Sequence, residues 1–175
     1  MLFRSDMPRQ QRHVSLTTLL IVGEGSDDKA FIDHVKSLFH QRHSGRKITV
    51  KAGDGGSPGN IITHASRSYK NEDYNQRYLV LDADIPPTAA DEKNAKAAGY
   101  QIILWQPQCL EGALLDVLGE RVQHETSQAL KQRLHPRLAG HHTKPEAYAV
   151  LFTQPVLAAT QNTSVAAVRD LLQGH

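Results

Sequence analysis

The sequence predicts a layered α/β fold: a central parallel four-stranded sheet flanked by helices, with a helical C-terminal extension. Three observations predict it. Short apolar, partly β-branched runs alternate with segments of helical periodicity in the order βαβαβαβα. Helices that cross over between successive strands imply a parallel, right-handed, layered sheet. After Gly119 only helical patterns remain.

The elements follow in order. Thr17 to Gly23 is short, apolar and partly β-branched, which suits a buried strand. Ser26 or Asp27 can cap the next helix, which carries Ala30, Phe31, Val35, Leu38 and Phe39 at helical spacing and is expected to run to about His43 before Gly45 ends it. Lys47 to Ala52 alternates as a second strand. A glycine-rich loop from Gly53 to Asn60 precedes a helix that opens at Pro58 or Asn60 and carries Ile61, Ile62, Ala65 and Tyr69. Tyr78 to Leu81 is the third strand. An alanine-rich helix, 89–98, is stopped by Gly99. Tyr100 to Trp105 is the fourth strand, ended by Pro107, and a leucine-rich helix covers Leu110 to Leu118. Helical patterns then cover about Gln123 to Leu134, Pro145 to Phe152 and Ser164 to Leu172.

Length and composition bound the function. The 175 residues fit one domain with a core of useful size. Three parts are expected: a basic N-terminal arm over 1–16 with Arg4, Arg9 and Arg12, an α/β core over 17–120, and a helical extension over 121–175 packed on that core. No apolar run approaches the roughly 20 residues that span a bilayer, so a cytoplasmic location is expected. Cys109 is the single cysteine, which excludes an internal disulfide and a cysteine-based zinc knuckle and suits a small apolar packing residue. A formal net charge of +2 neither demands nor excludes nucleic acid.

The chemistry-bearing residues cluster at strand ends. Leu19-Leu20-Ile21-Val22-Gly23 leads into Glu24-Gly25-Ser26-Asp27-Asp28, and Tyr78-Leu79-Val80-Leu81 leads into Asp82-Ala83-Asp84. In open parallel sheets ligands bind at that edge. Carboxylates gathered there repel one another unless a cation lies between them, and oxygen ligands suit Mg²⁺ or Mn²⁺. Asp82 and Asp84, two apart in an extended segment, point the same way. Asp82 is the firmest candidate, with Glu24, Asp28 and Asp84 as further metal ligands. The plainer alternatives are a dipole-complementing role for Glu24, Asp27 and Asp28, with Asp27 read as a helix cap, and an Asx turn for the aspartates before Pro86. Glu111, at the start of the helix after the fourth strand, reaches the same edge, unless it too only complements the dipole. Lys144 is the candidate cation for transition-state charge, with Lys51, Arg67 and Lys70 behind it. His135, His141 and His142 match no zinc motif spacing and read as surface residues, and Trp105 and Tyr100 read as packing residues.

Strand-Glu-Gly-x-x-Asp followed by strand-Asp-x-Asp resembles the Toprim domain, a Rossmann-like fold. The details are most similar to the RloB-like, OLD-related group of small Toprim proteins of bacterial defence loci. Three segments add to the likeness: the glycine-rich turn with Ser57-Pro58, the stretch Trp105-Gln106-Pro107-Gln108-Cys109-Leu110-Glu111-Gly112-Ala113-Leu114-Leu115, and Lys144-Pro145-Glu146-Ala147-Tyr148. Leu110 stands where the group has an aromatic, and Gln106 where it has asparagine. The resemblance spans roughly 17–152.

The resemblance implies a metal-dependent nuclease, with a role in anti-phage defence. Glu24, Asp82 and Asp84 would hold one or two Mg²⁺ or Mn²⁺ ions, Glu111 and Asp28 would complete the site, and Glu24 would alternatively serve as general acid or base. Nucleic acid is the implied partner, DNA ahead of RNA, and the oligomeric state is left open, a homodimer included. Longer relatives carry an ATPase. This chain has no G-x-x-x-x-G-K-[ST] match, so an ATPase partner would be a separately encoded subunit. Two rival readings stand beside the nuclease. One is a non-catalytic Toprim module that binds nucleic acid or a partner. The other is a haloacid-dehalogenase-like phosphatase with Asp82 as nucleophile, although that fold normally opens with its Asp-x-Asp strand.

Overall fold

A computed structural model describes residues 16–174, so the basic arm expected over 1–16 lies, Leu16 apart, outside the described residues. Four strands, β1 (Thr17–Gly23), β2 (Arg46–Ala52), β3 (Gln76–Asp82) and β4 (Tyr100–Trp105), form one sheet in the order β2-β1-β3-β4. All three pairings are parallel. The chain leaves β1 for β2 on one side through α1 (Ser26–Phe39). It then returns past β1 to β3 through α2 (Pro58–Ser68) and continues to β4 through α3 (Ala89–Ala97). Direction therefore reverses between β1 and β3, and the C-terminal tips of these two neighbours flank the switch point where ligands bind in such sheets.

Residue alternation builds two cores. Leu19, Ile21 and Val80 face α1, α4 (Leu110–Val117) and the C-terminal helices α5 (Ser127–Leu134), α6 (Gln154–Ala159) and α7 (Thr163–Gln173). Leu20, Val22, Leu79 and Leu81 face Ile61, Ile62 and Ala65 of α2 and Ala95 of α3. The larger core centres on Phe31, whose ring meets Trp105, Tyr148 and Phe152 edge-on at centroid distances of 5.9, 5.6 and 5.9 Å. Each such buried side chain contributes roughly 1.5–3 kcal/mol. The extension is tied down by polar contacts as well. His34 Nε2 lies 2.6 Å from the Phe152 carbonyl, and the Arg46 guanidinium donates to the Leu171 and Leu172 carbonyls at the end of α7. Among the described residues no helix is long and apolar enough to cross a membrane.

Several expected boundaries move, each for a local reason. The first helix ends at Phe39 rather than near His43, because His40 is extended and His43 sits at φ 58°. Its cap is neither Ser26 nor Asp27. Gly25 is the N-cap residue, and the Asp28 carboxylate accepts from its N–H at 3.0 Å. The helix expected from Gln123 begins at Ser127, since His124 is left-handed and the Thr126 hydroxyl accepts from Ala129 N–H. The helix expected over 145–152 is a 3₁₀ turn, Pro145–Tyr148, that sends Tyr148 and Phe152 onto Phe31. A further helix, α6, follows it and carries Pro155 in its first turn.

Candidate metal centre

The sheet edge gathers carboxylates from three elements. Glu24 follows β1 directly, Asp82 closes β3 and Glu111 lies in the first turn of α4. Gly23 lets α1 begin this close to the strand: a Cβ there would stand 2.7 Å from the Asp28 Cβ. Gly112 does the same for α4, where a Cβ would stand 2.1 Å from the Pro107 carbonyl oxygen.

Glu24 and Asp82 are joined directly. The Asp82 N–H donates to Glu24 Oε2 at 2.7 Å, and Asp82 Oδ1 accepts from the Leu110 N–H at 3.3 Å. Burial pushes the Asp82 carboxyl up to about 8, with the charges of Asp28, Glu24, Glu111 and Asp84 adding to it. Burial also raises Glu24, with Asp84 and Glu111 in the same direction, against the Asp82 N–H and Lys131, which lower it. Asp28 is pushed up to about 7 by burial, although Trp105 and the Gly25 N–H oppose the rise. Carboxylates are therefore crowded at this edge with too little positive charge beside them, and they hold their protons more tightly than free carboxyls. Oxygen-only groups under mutual repulsion suit a hard divalent cation, although among the described residues no three of Glu24, Asp82, Asp84 and Glu111 bring one oxygen each within 4.8 Å of one another.

The remaining expected residues divide. Both oxygens of Asp28 are engaged by the protein, Oδ1 by Trp105 Nε1 at 2.7 Å and Oδ2 by Gly25 N–H. Asp28 thus braces α1 against β4 beside the centre. Asp84 accepts from Ser127 Oγ at 2.7 Å and from the Ile85 N–H at 2.8 Å. Glu111 is buried, and its Oε1 lies 2.9 Å from His135 Nε2. Lys144 is exposed and lines a surface cavity with Lys29 and Asp33, along α1. Arg67 and Lys70 line a different cavity with Asn94 and Arg77, between α2 and α3, and Lys51 is exposed on β2. The cation that senses the carboxylates is Lys131 of α5. Burial alone would lower its ammonium, but Glu111, Asp82 and Asp27 outweigh that and hold it above the ordinary lysine range.

Sequence patterns did not single out Lys131, Gln108 or Ser127. Gln108 sits at φ 71°, and its carbonyl accepts from the Ala83 and Asp84 N–H groups, both at 2.8 Å. Its amide donates to Ser127 Oγ and the Glu125 carbonyl. One strained residue thus fixes the Asp-x-Asp loop to the start of α5. Cys109 is buried, its thiol pushed up to about 12 by burial, which suits packing. Asp27, read as a cap, turns instead to His142 and His135. Comparison with protein-family models, curated proteins and solved structures finds no match to this chain.

Proposed function

We propose that the chain is a divalent-metal-dependent phosphodiesterase of the Toprim kind that its motifs resemble, cutting nucleic acid, with DNA as the first substrate to try. One observation carries the proposal: Glu24 and Asp82 sit on adjacent strand tips at the switch point, bonded through the Asp82 N–H, in a partly buried cluster of like charge.

Glu24, Asp82 and Glu111 would hold the ion, with Asp84 beside them. When bound, Mg²⁺ or Mn²⁺ supplies Lewis-acid stabilisation of phosphoryl oxygens. The chain's own groups do the rest. Glu24 would alternatively serve as general base and then acid, taking a proton from the attacking water and returning it to the leaving oxygen. Lys131 meets the charge that develops on the phosphoryl group. Asp28 and Trp105 hold the start of α1 against β4, and Gln108 and Ser127 hold Asp84. Lys144, the cation expected from sequence, is superseded in this scheme by Lys131.

The test is cleavage of plasmid DNA and labelled RNA by purified protein with Mg²⁺ or Mn²⁺. Cutting is expected, and Asp82→Asn should abolish it. Cutting that survives that change refutes the assignment. Binding without cutting across metals and substrates supports a non-catalytic module instead. Phosphate release from small phosphomonoesters supports the phosphatase.

A further inference from the structure

We propose that Asp27, His135 and His142 form a second cation site, built for a transition metal such as Zn²⁺, with Glu111 at its inner margin. The site does not depend on nuclease activity at Glu24 and Asp82. Its ligands come from three separate segments: the first turn of α1, the 3₁₀ turn His135–Arg137 after α5, and the loop before Pro145. One carboxylate oxygen and two imidazole nitrogens, one from each residue, all lie within 4.8 Å of one another. Asp27 divides between the histidines: Oδ1 stands 2.5 Å from His142 Nδ1, and Oδ2 3.9 Å from His135 Nε2. In a tetrahedral zinc site with bonds near 2.1 Å, ligand atoms stand about 3.4 Å apart. The present separations straddle that value, so rotation of the Asp27 carboxylate and of one imidazole would close a ligand set.

The arrangement is held in place. The two imidazoles stack with centroids 4.1 Å apart and planes 11° from parallel, so one ring turns out of the stack when both nitrogens point to one ion. Buried Tyr148 donates its hydroxyl to the His142 carbonyl at 2.6 Å. Ala139 N–H bonds the Ala147 carbonyl across the base of the same loop. Glu111 Oε1 lies 2.9 Å from His135 Nε2, the same ring nitrogen that faces Asp27, so on metal binding Glu111 gives up that contact and stands ready as a further oxygen ligand at the inner margin. A surface cavity of about 420 Å³ opens onto all three residues, so an ion and an exchangeable ligand can enter.

Ligand type separates this site from the oxygen cluster next to it. Imidazole with carboxylate favours Zn²⁺, Co²⁺ or Ni²⁺, whereas carboxylates alone favour Mg²⁺ or Mn²⁺. Three protein ligands with a fourth position open is the pattern of an exchangeable zinc site rather than a closed structural one. Glu111 faces both clusters, so filling one site changes the charge felt at the other.

The test titrates metal-stripped protein with Co²⁺ and follows the visible ligand-field absorption. One Co²⁺ per chain is expected, displaced by Zn²⁺ but not by excess Mg²⁺. His135→Ala and His142→Ala should each weaken binding at least about tenfold, while Asp82→Asn keeps the absorption. Absorption that persists in both histidine variants, or no Zn²⁺-displaceable absorption, overturns the site. Labelling of the wild-type protein with diethyl pyrocarbonate keeps the test independent of variant folding. Zn²⁺ should protect His135 and His142 but not exposed His64 or His124. Equal labelling of His135 and His142 with and without Zn²⁺ also overturns it.

Discussion

Replacing Asp82 by asparagine should abolish cutting and, without metal, stabilise the fold. The asparagine oxygen can still accept from the Leu110 N–H, so the change removes charge and little else. Asp82 is raised from 3.8 to about 8 by burial and by Asp28, Glu24, Glu111 and Asp84. A raised carboxyl binds its proton more tightly folded than unfolded. Stability is therefore highest below about pH 4 as far as this group is concerned, and falls as pH rises to about 8. At ~1.36 kcal/mol per pH unit the full loss is at most about 6 kcal/mol. Solvent and relaxation at an edge open to water reduce it to roughly 1–3 kcal/mol. For a chain of this length that is roughly 3–10 °C in melting midpoint. Thermal melts from pH 5 to 9 in chelator should show a falling midpoint for wild type and a flatter, higher curve for Asp82→Asn. Added Mn²⁺ should flatten the wild-type curve and leave the variant unmoved. A variant less stable than wild type at pH 8, or with the same pH slope, refutes the charge-repulsion reasoning.

Other substitutions probe the supports. Trp105→Phe removes the donor to buried Asp28 and should cost about 1.5–3 kcal/mol in urea unfolding at pH 8; an unchanged midpoint would show that bond to be dispensable. Gly112→Ala places a methyl 2.1 Å from the Pro107 carbonyl oxygen and should cost about 3 kcal/mol or prevent soluble expression, while wild-type stability would contradict the close approach. Lys131→Met should lower the cleavage rate about 100-fold with melting little changed, whereas Lys144→Ala should change the rate less than about threefold. The reverse ranking would restore Lys144 as the working cation.

Most of the sheet was legible because its periods are local. Apolar runs such as 19–22 and 79–81 are buried on both faces, and amphipathic segments between them leave few topologies open. The placement of Glu24 and Asp82 at one sheet edge was legible for the same reason, since a strand end fixes the edge its next residue reaches. The C-terminal region was less so. The 145–152 segment has helical spacing, but packing of Tyr148 and Phe152 on Phe31 overrides it. His142 lies 115 residues from Asp27, and no spacing rule joins them. Lys131 likewise comes within the field of the carboxylates only through the packing of α5 on α4. Gln108 carries no composition signal at all, because its role lies in a left-handed backbone and two accepted N–H groups.

The central claim is that the tips of β1 and β3 make one divalent-metal centre. Anomalous scattering from a crystal soaked in Mn²⁺ tests it most directly. A peak within bonding distance of both the Glu24 and Asp82 carboxylates, lost in Asp82→Asn, is the predicted result. A Mn²⁺ peak that touches neither carboxylate, or no peak at saturating Mn²⁺, contradicts it.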